Sequence, residues 1–495
     1  MLTRSLGGAL AAALAPLGCV PRAMSTDPGV VLNDVHARLN ATRVARVHQP
    51  ASPEAVASIV RRAGRRGQAI SIAGSRHAMG GQQFGRGCQH LDMTTLDGIG
   101  PLDADRRVVE VQAGVQWPVL MDWLAERRRD ETGLGLGIIQ KQTGADQLSL
   151  GGAIAANIHG RGLTLPPMVN DIEAITLVDA RGEIHRCSRT ENVEQFRLAI
   201  GGYGLIGVVT SVSLRLMPRR KIVRRVALAG SDEVARRFDR EIAAGALYGD
   251  FQFSVDAASE AFLQRGIVTT YHPVPDDTLV PRQQLTFSGQ AWRELIYLAH
   301  ADPAAAYERY VAHYLATDGQ IYLSDEHQRS SYLDGYHALV DQHMNSREPA
   351  TEMITELYVP RHALASFMAG AASLLRERTT PVIYGTVRLI DRDDETLLAW
   401  ARQPWACIIF NLHCVHTRPG LAAAADSFRD LIDLAIRHEG SYYLTYHRWA
   451  RPGQVEQCHP RLVDVLRLKR RYDPQERFQS QWYRHYREMF ADRLT

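Results

Sequence analysis

Apolar residues recur along this chain at two periods, and each change of period marks an element. Alternation over 43–48 predicts a short strand. Pro53 and Glu54 then open a segment whose apolar positions Val56, Ile59, Val60 and Ala63 repeat at helical spacing until Gly67 stops it. Residues 70–73, Ile-Ser-Ile-Ala, read as the next strand. The run 108–115 is another, and Trp117 begins a helix that continues through Leu124. Further on, strands at 171–179 and up to Cys187 turn at Gly182. A short helix covers 196–200, and alternating Val, Ser and Leu make 208–216 a strand.

Beyond 221 the pattern loosens. Helices at 303–315 and 362–376 are interspersed irregularly with strands at 224–229, 251–255, 355–359, 383–390 and 407–414, which predicts a second, α+β unit. Between the two units, Pro218-Arg219-Arg220-Lys221 reads as a solvated boundary. The tail holds a strand-like run at 442–446 and a helix-like stretch from 466 to Phe478. The organisation read from this pattern is a first domain over 33–219, a second over 220–440, and a segment 441–495 that returns to the first.

A chain of 495 residues accommodates two or three domains with sizeable cores. The net charge of +3 and the lack of basic runs interleaved with aromatics argue against nucleic acid as a partner. Six cysteines, Cys19, Cys88, Cys187, Cys407, Cys414 and Cys458, lack paired spacing, so neither a disulfide framework nor a zinc site is expected. His413 and His416 stand three apart on a strand and so face opposite ways; no metal is expected. After Arg4 an apolar run over 6–20 has the length of a signal-peptide core and is too short to span a bilayer. Residues 1–23 are therefore read as a signal for export, to the periplasm or outside. The alternative is a start at Met24 and a cytoplasmic protein.

Two glycine-rich stretches carry the chemistry. Residues 149–162, Ser-Leu-Gly-Gly-Ala-Ile-Ala-Ala-Asn-Ile-His-Gly-Arg-Gly, and residues 70–83, Ile-Ser-Ile-Ala-Gly-Ser-Arg-His-Ala-Met-Gly-Gly-Gln-Gln, leave main-chain amides open to a large ligand. Neither is a Walker loop or a Gly-x-Gly-x-x-Gly fingerprint. Together they resemble the FAD-binding domain of the vanillyl-alcohol-oxidase type. The second stretch is similar to that of sugar-lactone and alditol oxidases and of decaprenylphosphoryl-ribose oxidases.

The resemblance implies a two-part FAD-binding domain of the PCMH type under an α+β cap. It also implies FAD held by Ala73, Gly74, Ser75, Arg76, His77, Ala78, Gly144, Ser149, Gly151, Gly152, Ala156, Asn157, His159, Val208 and Tyr443. His77 takes the place of the histidine that is often bonded covalently to the flavin. A second bond through cysteine is not expected, because Ala145 stands where berberine-bridge-type enzymes need one. The implied reaction is oxidation of a CH–OH group in a small molecule, a polyol, sugar or sugar lactone, with O2 or a quinone or cytochrome as electron acceptor.

Catalytic candidates follow from the same resemblance. Thr386-Val387-Arg388 is similar to a Glu-x-Arg strand, with the glutamate replaced by Thr386. By alternation Arg388 points toward the active site, partly buried, or forms a surface ion pair with Asp393 or Asp394. Where the relatives place a lysine or His-Trp-Gly-Lys, this chain has Tyr446-His447-Arg448-Trp449, so Tyr446 or His447 is the candidate base, with His159 nearby. Two other readings stand beside this one. Amine oxidation of the cytokinin-dehydrogenase type would need a catalytic aspartate, which does not fall on Asp146. The other is a flavin-binding scaffold without turnover.

Overall fold

The computed structural model describes residues 29–127, 133–144, 146–331, 333 and 335–494. The segment 1–23, Met24 and Ala145 lie outside the described residues. The helix Pro53–Arg65 begins where Ser52 accepts the Ala55 amide at 3.2 Å, with proline in its first turn, and it buries Val56, Ile59, Val60 and Ala63 as their spacing requires. It links two strands of a three-stranded parallel sheet in which Gln89–Asp92 lies between Arg46–His48 and Ile70–Ala73. An antiparallel sheet follows, ordered Ile184–Ser188, Ile172–Asp179, Gly207–Pro218, Val108–Gln112, Ile99–Asp103, with Leu136–Ile138 paired to the far end of Gly207–Pro218.

From that long strand the chain passes directly into Lys221–Gly230, part of an eight-stranded antiparallel sheet. The junction is solvated only in part: Pro218 and Arg220 are exposed, but the residue between them is not. Arg219 is buried, with Nε and Nη2 each 2.8 Å from Asp325 Oδ2. Its partner arrives about a hundred residues later, which no local charge pattern reveals.

The eight strands lie in the order Ile321–Leu323, Lys221–Gly230, Arg265–Pro273, Tyr248–Phe253, Val382–Ile390, Trp405–Val415, Ala350–Pro360, Ser441–Tyr442. Pairing sets a strict ladder across three of them: Glu356, Ile409 and Thr386 are in line, as are Tyr358, Cys407 and Arg388. Because side chains alternate between faces, Glu352, Ile354, Glu356, Tyr384, Thr386, Arg388, Ile409 and Asn411 share one face and line a cavity. Leu357, Val359, Val387, Leu389, Ile408, Phe410 and Leu412 turn the other way, into the main core with the helices Leu364–Glu377 and Arg418–Arg437. Helices Gly289–Ala301 and Pro303–Ala316 pack together beside the cavity; the first is an element not expected from the pattern above.

Among the described residues of the tail, only Ser441–Tyr442 is strand, and it extends the eight-stranded sheet. Immediately afterwards the carbonyls of Leu444 and Thr445 accept from Gln82 Nε2 at 3.0 and 2.8 Å. Further along, Lys469 forms a buried pair with Asp473, whose carboxylate also accepts the amides of Arg477 and Phe478. Arg477 then donates to the carbonyls of Ala63 and Gln68 at 3.2 and 2.6 Å, tying the tail to the helix Pro53–Arg65. No helix among the described residues is long and apolar enough to cross a membrane.

Candidate active site

The two glycine-rich stretches meet where no side chain fits. A Cβ on Gly74 would lie 1.9 Å from Ser149 Oγ, which itself accepts the Ser75 amide at 3.4 Å, while Gln116 Nε2 donates to Ser75 Oγ at 3.2 Å. Gly151 is pressed against Ala113, where a Cβ would come within 2.9 Å. Arg76 takes the left-handed backbone conformation, with φ 60°. The result is a floor of nearly bare main chain under one end of a cavity of about 470 Å3, whose other end is roofed by the eight-stranded sheet and the helices beside it.

Most of the residues anticipated above line that cavity: Ala73, Gly74, Ser75, Arg76, His77, Ala78, Gly144, Ser149, Gly151, Gly152, Ala156, His159, Arg388, Tyr443 and Tyr446. Three do not. Asn157 is fully buried beside it, its Nδ2 donating to Asp393 Oδ2 and its Oδ1 accepting the Val169 amide, each at 2.9 Å, so its side chain joins loop to cap. Val208 belongs to the core around the helix Pro53–Arg65. His447 is packed against Tyr442 and Phe428, with ring centroids 5.6 and 4.6 Å away. Burial and then Arg429 push its pKa down to about 3, so this imidazole has neither access nor basicity.

Tyr446, by contrast, enters a buried polar cluster centred on Glu356. The Glu356 carboxylate accepts from Tyr446 Oη at 2.7 Å and Tyr358 Oη at 2.9 Å, and His159 Nε2 lies 3.1 Å from its Oε2. His159 Nδ1 faces the Gly160 carbonyl at 3.1 Å. With that nitrogen donating, the contact to Glu356 needs one shared proton. Burial opposes the charge of Glu356, but His159 and Tyr446 outweigh it and hold the carboxyl below its ordinary range. The preceding strand thus supplies a glutamate although Thr386 has replaced the one expected beside Arg388.

Arg388 is 4% exposed, more deeply set than expected, with Nη2 3.4 Å from the Thr143 carbonyl and Nε without a hydrogen-bond partner. It makes no surface pair: Asp394 is 2.5 Å from Arg392, and Asp393 is occupied by Asn157 and by the amides of Glu395 and Thr396. A second cation, not noticed in the sequence, lies close by. Lys141 is buried, its Nζ 2.6 Å from Asp146 Oδ1, and burial pulls its pKa down to about 8 against the pull of that aspartate, with Arg161 and Arg388 adding to the lowering. Asp146 also accepts from the Ser330 hydroxyl at 2.9 Å. Thus committed, it offers no catalytic aspartate.

The bare floor fits an extended dinucleotide, and comparison with known proteins agrees. Residues 44–188 match the family model described as FAD binding domain. Over 147 residues the chain is 31% identical to an L-galactono-1,4-lactone dehydrogenase of Oryza sativa subsp. japonica, covering 30% of this chain and 24% of that one. It is 29% identical over 181 residues to an L-gulono-1,4-lactone dehydrogenase of Mycobacterium tuberculosis, covering 37% and 40%. A decaprenylphosphoryl-beta-D-ribose oxidase of Mycolicibacterium smegmatis is 28% identical over 181 residues, covering 36% and 38%. The similarity therefore spans about a quarter to two fifths of the length of these relatives.

Proposed function

We propose that this chain, which carries an FAD-binding domain over residues 44–188, is an FAD-dependent oxidoreductase acting on a CH–OH group of a small polyhydroxylated molecule such as a polyol, sugar or sugar lactone. The observation that carries the reading is Glu356: a buried carboxylate on the cavity face of the cap, held by His159 and two tyrosines. FAD, when bound, supplies the acceptor for the two electrons of a hydride.

The chain's own residues do the rest. Gly74 and Ser149 bring two loops together so that main chain nearly free of side chains lines the cavity. Glu356 accepts the proton of the substrate hydroxyl, and Tyr446, bonded to the same carboxylate, positions that oxygen; such general-base assistance is worth roughly 10²–10⁴-fold. Arg388 places a permanent charge beside the oxygen as it loses its proton. His77 is the proposed covalent tether, and 1–23 the proposed export signal. Amine oxidation is disfavoured, because Asp146 is engaged by Lys141 and Ser330.

The test is a screen of polyols, aldoses and aldonolactones for anaerobic bleaching of the yellow protein. A substrate that bleaches native protein rapidly but the Glu356→Gln variant slowly supports the reading. A yellow protein bleached by none of the three classes argues for a scaffold. With a substrate in hand, an oxygen electrode distinguishes O2 from a quinone or cytochrome as acceptor.

A further inference from the structure

The sheet that presents Glu356 presents a second glutamate four residues earlier on the same face, about 13 Å away along the strand. Glu352 is buried and lines the far end of the cavity. Three imidazoles from three other elements converge on it. His300 Nε2, from the helix Gly289–Ala301, is 2.8 Å from Oε1; His413 Nδ1, from the strand Trp405–Val415, is 3.6 Å from the same oxygen; His337 Nδ1, from the helix Tyr336–His343, is 2.8 Å from Oε2. Tyr336 also donates its hydroxyl to Oε2.

Two features of this cluster point to a cation. His300 Nδ1 lies 2.8 Å from the Ile296 carbonyl one helical turn away and must donate to it. In the neutral ring Nε2 then carries a lone pair, aimed at a carboxylate oxygen, so a positive species has to lie between them: a proton or a metal ion. His413 Nδ1, in turn, is buried without a hydrogen-bond partner although it faces the same oxygen. The donor atoms of His300, Glu352 and His413 all lie within 4.8 Å of one another. Zinc–ligand bonds of about 2.0–2.2 Å place tetrahedral ligands about 3.3–3.5 Å apart, a spacing that sub-ångström movements would reach from the observed 2.8 and 3.6 Å.

We propose that His300, His413 and Glu352 bind a divalent first-row transition ion, with His337 and Tyr336 orienting the carboxylate through its second oxygen. Two imidazoles and one carboxylate leave a coordination position open, and Glu352 itself lines the cavity. There the ion offers a Lewis acid to water or to a ligand oxygen. His413 and His416 contribute no common site: His416 Nε2 is 2.9 Å from Thr351 Oγ1. The inference holds whatever molecule is oxidised at Glu356.

Zinc is the probe. The flavin-loaded protein is stripped with a chelator, re-equilibrated with zinc, gel-filtered and assayed for metal, alongside His413→Ala and His300→Gln variants. Their flavin content reports whether they have folded. Native protein should retain one zinc more per chain than either variant, and zinc should raise its Tm. Equal zinc in native and folded variants overturns the proposal. Should both variants fail to fold, native protein alone decides: no retained equivalent, or no rise in Tm at saturating zinc, overturns it equally.

Discussion

Glu356 and Thr386 stand opposite the same residue, Ile409, from the two strands that flank it, so the cap carries its carboxylate two strands across from the position two residues before Arg388. The ladder keeps Glu356 on the cavity face with Arg388, and its cavity-lining neighbours His159 and Tyr446 complete its shell. Replacing Glu356 by Gln preserves shape and removes the proton acceptor. Flavin reduction by the best substrate should slow by roughly 10²–10⁴-fold in anaerobic stopped flow, with FAD content unchanged. Thr386→Glu in that background should not restore it, since the new carboxylate would lack His159 and the two tyrosines.

Arg388→Ala should lower the reduction rate by about 10²–10³-fold, the usual loss when a charge facing a developing anion is removed. Because the guanidinium is buried, its removal also leaves a void, so a fall in Tm is expected as well. Arg388→Lys separates the two effects: it keeps the charge and most of the volume, and its rate should lie between native and alanine. A native rate in both variants would take Arg388 out of the mechanism.

Gly74→Ala is expected to abolish FAD binding, because its Cβ would overlap Ser149 Oγ. Ser149→Ala in the same chain relieves that contact and should recover part of the flavin, read from the visible absorbance of purified protein. Failure of the second change to recover any would show that the contact is not what limits the loop.

Covalent attachment predicts a yellow pellet when native protein is precipitated with acid, and a yellow supernatant for His77→Ala. Flavin released from native protein would assign His77, which lines the cavity, a noncovalent role.

Much of this site was legible in the sequence because it depends on local chain geometry. Glycines at 74, 151 and 152 announce where backbone must come close, and alternation at Arg388 gave its face. What could not be read is what the cap brings together. Glu356 lies 197 residues from His159, and nothing in its own surroundings distinguishes it from another strand glutamate. The same limit explains Arg219, whose charge looked solvated until Asp325 closed on it, and His447, whose neighbours Tyr442 and Trp449 stack on it while Phe428, from a distant helix, closes the remaining side.

Asp171 gives a pH-dependent prediction. It is buried with neither carboxylate oxygen hydrogen-bonded, and burial raises its pKa to about 7, with Gln140 and Arg215 only partly opposing this. A folded pKa above the unfolded 3.8 means that the fold holds the proton more tightly. Its stabilising contribution is complete below pH 3.8 and is lost as pH rises through 7. Asp171→Asn removes that loss. The variant should exceed native stability at pH 8 by about 4 kcal/mol, the gap closing toward about pH 4 in thermal melts. A gap independent of pH would mean that the carboxyl is not responsible.

The alternation of the cap sheet has a consequence for how such a protein can change over generations. One set of positions on its central strands is answerable to the helices behind, the other to whatever occupies the cavity. Mutations at Ile354, Thr386, Ile409 or Asn411 can therefore be selected for a new substrate while Leu357, Val387, Ile408 and Phe410 go on specifying the same architecture. A lineage could diversify in chemistry along one set of alternate positions in each strand and stay conservative along the other.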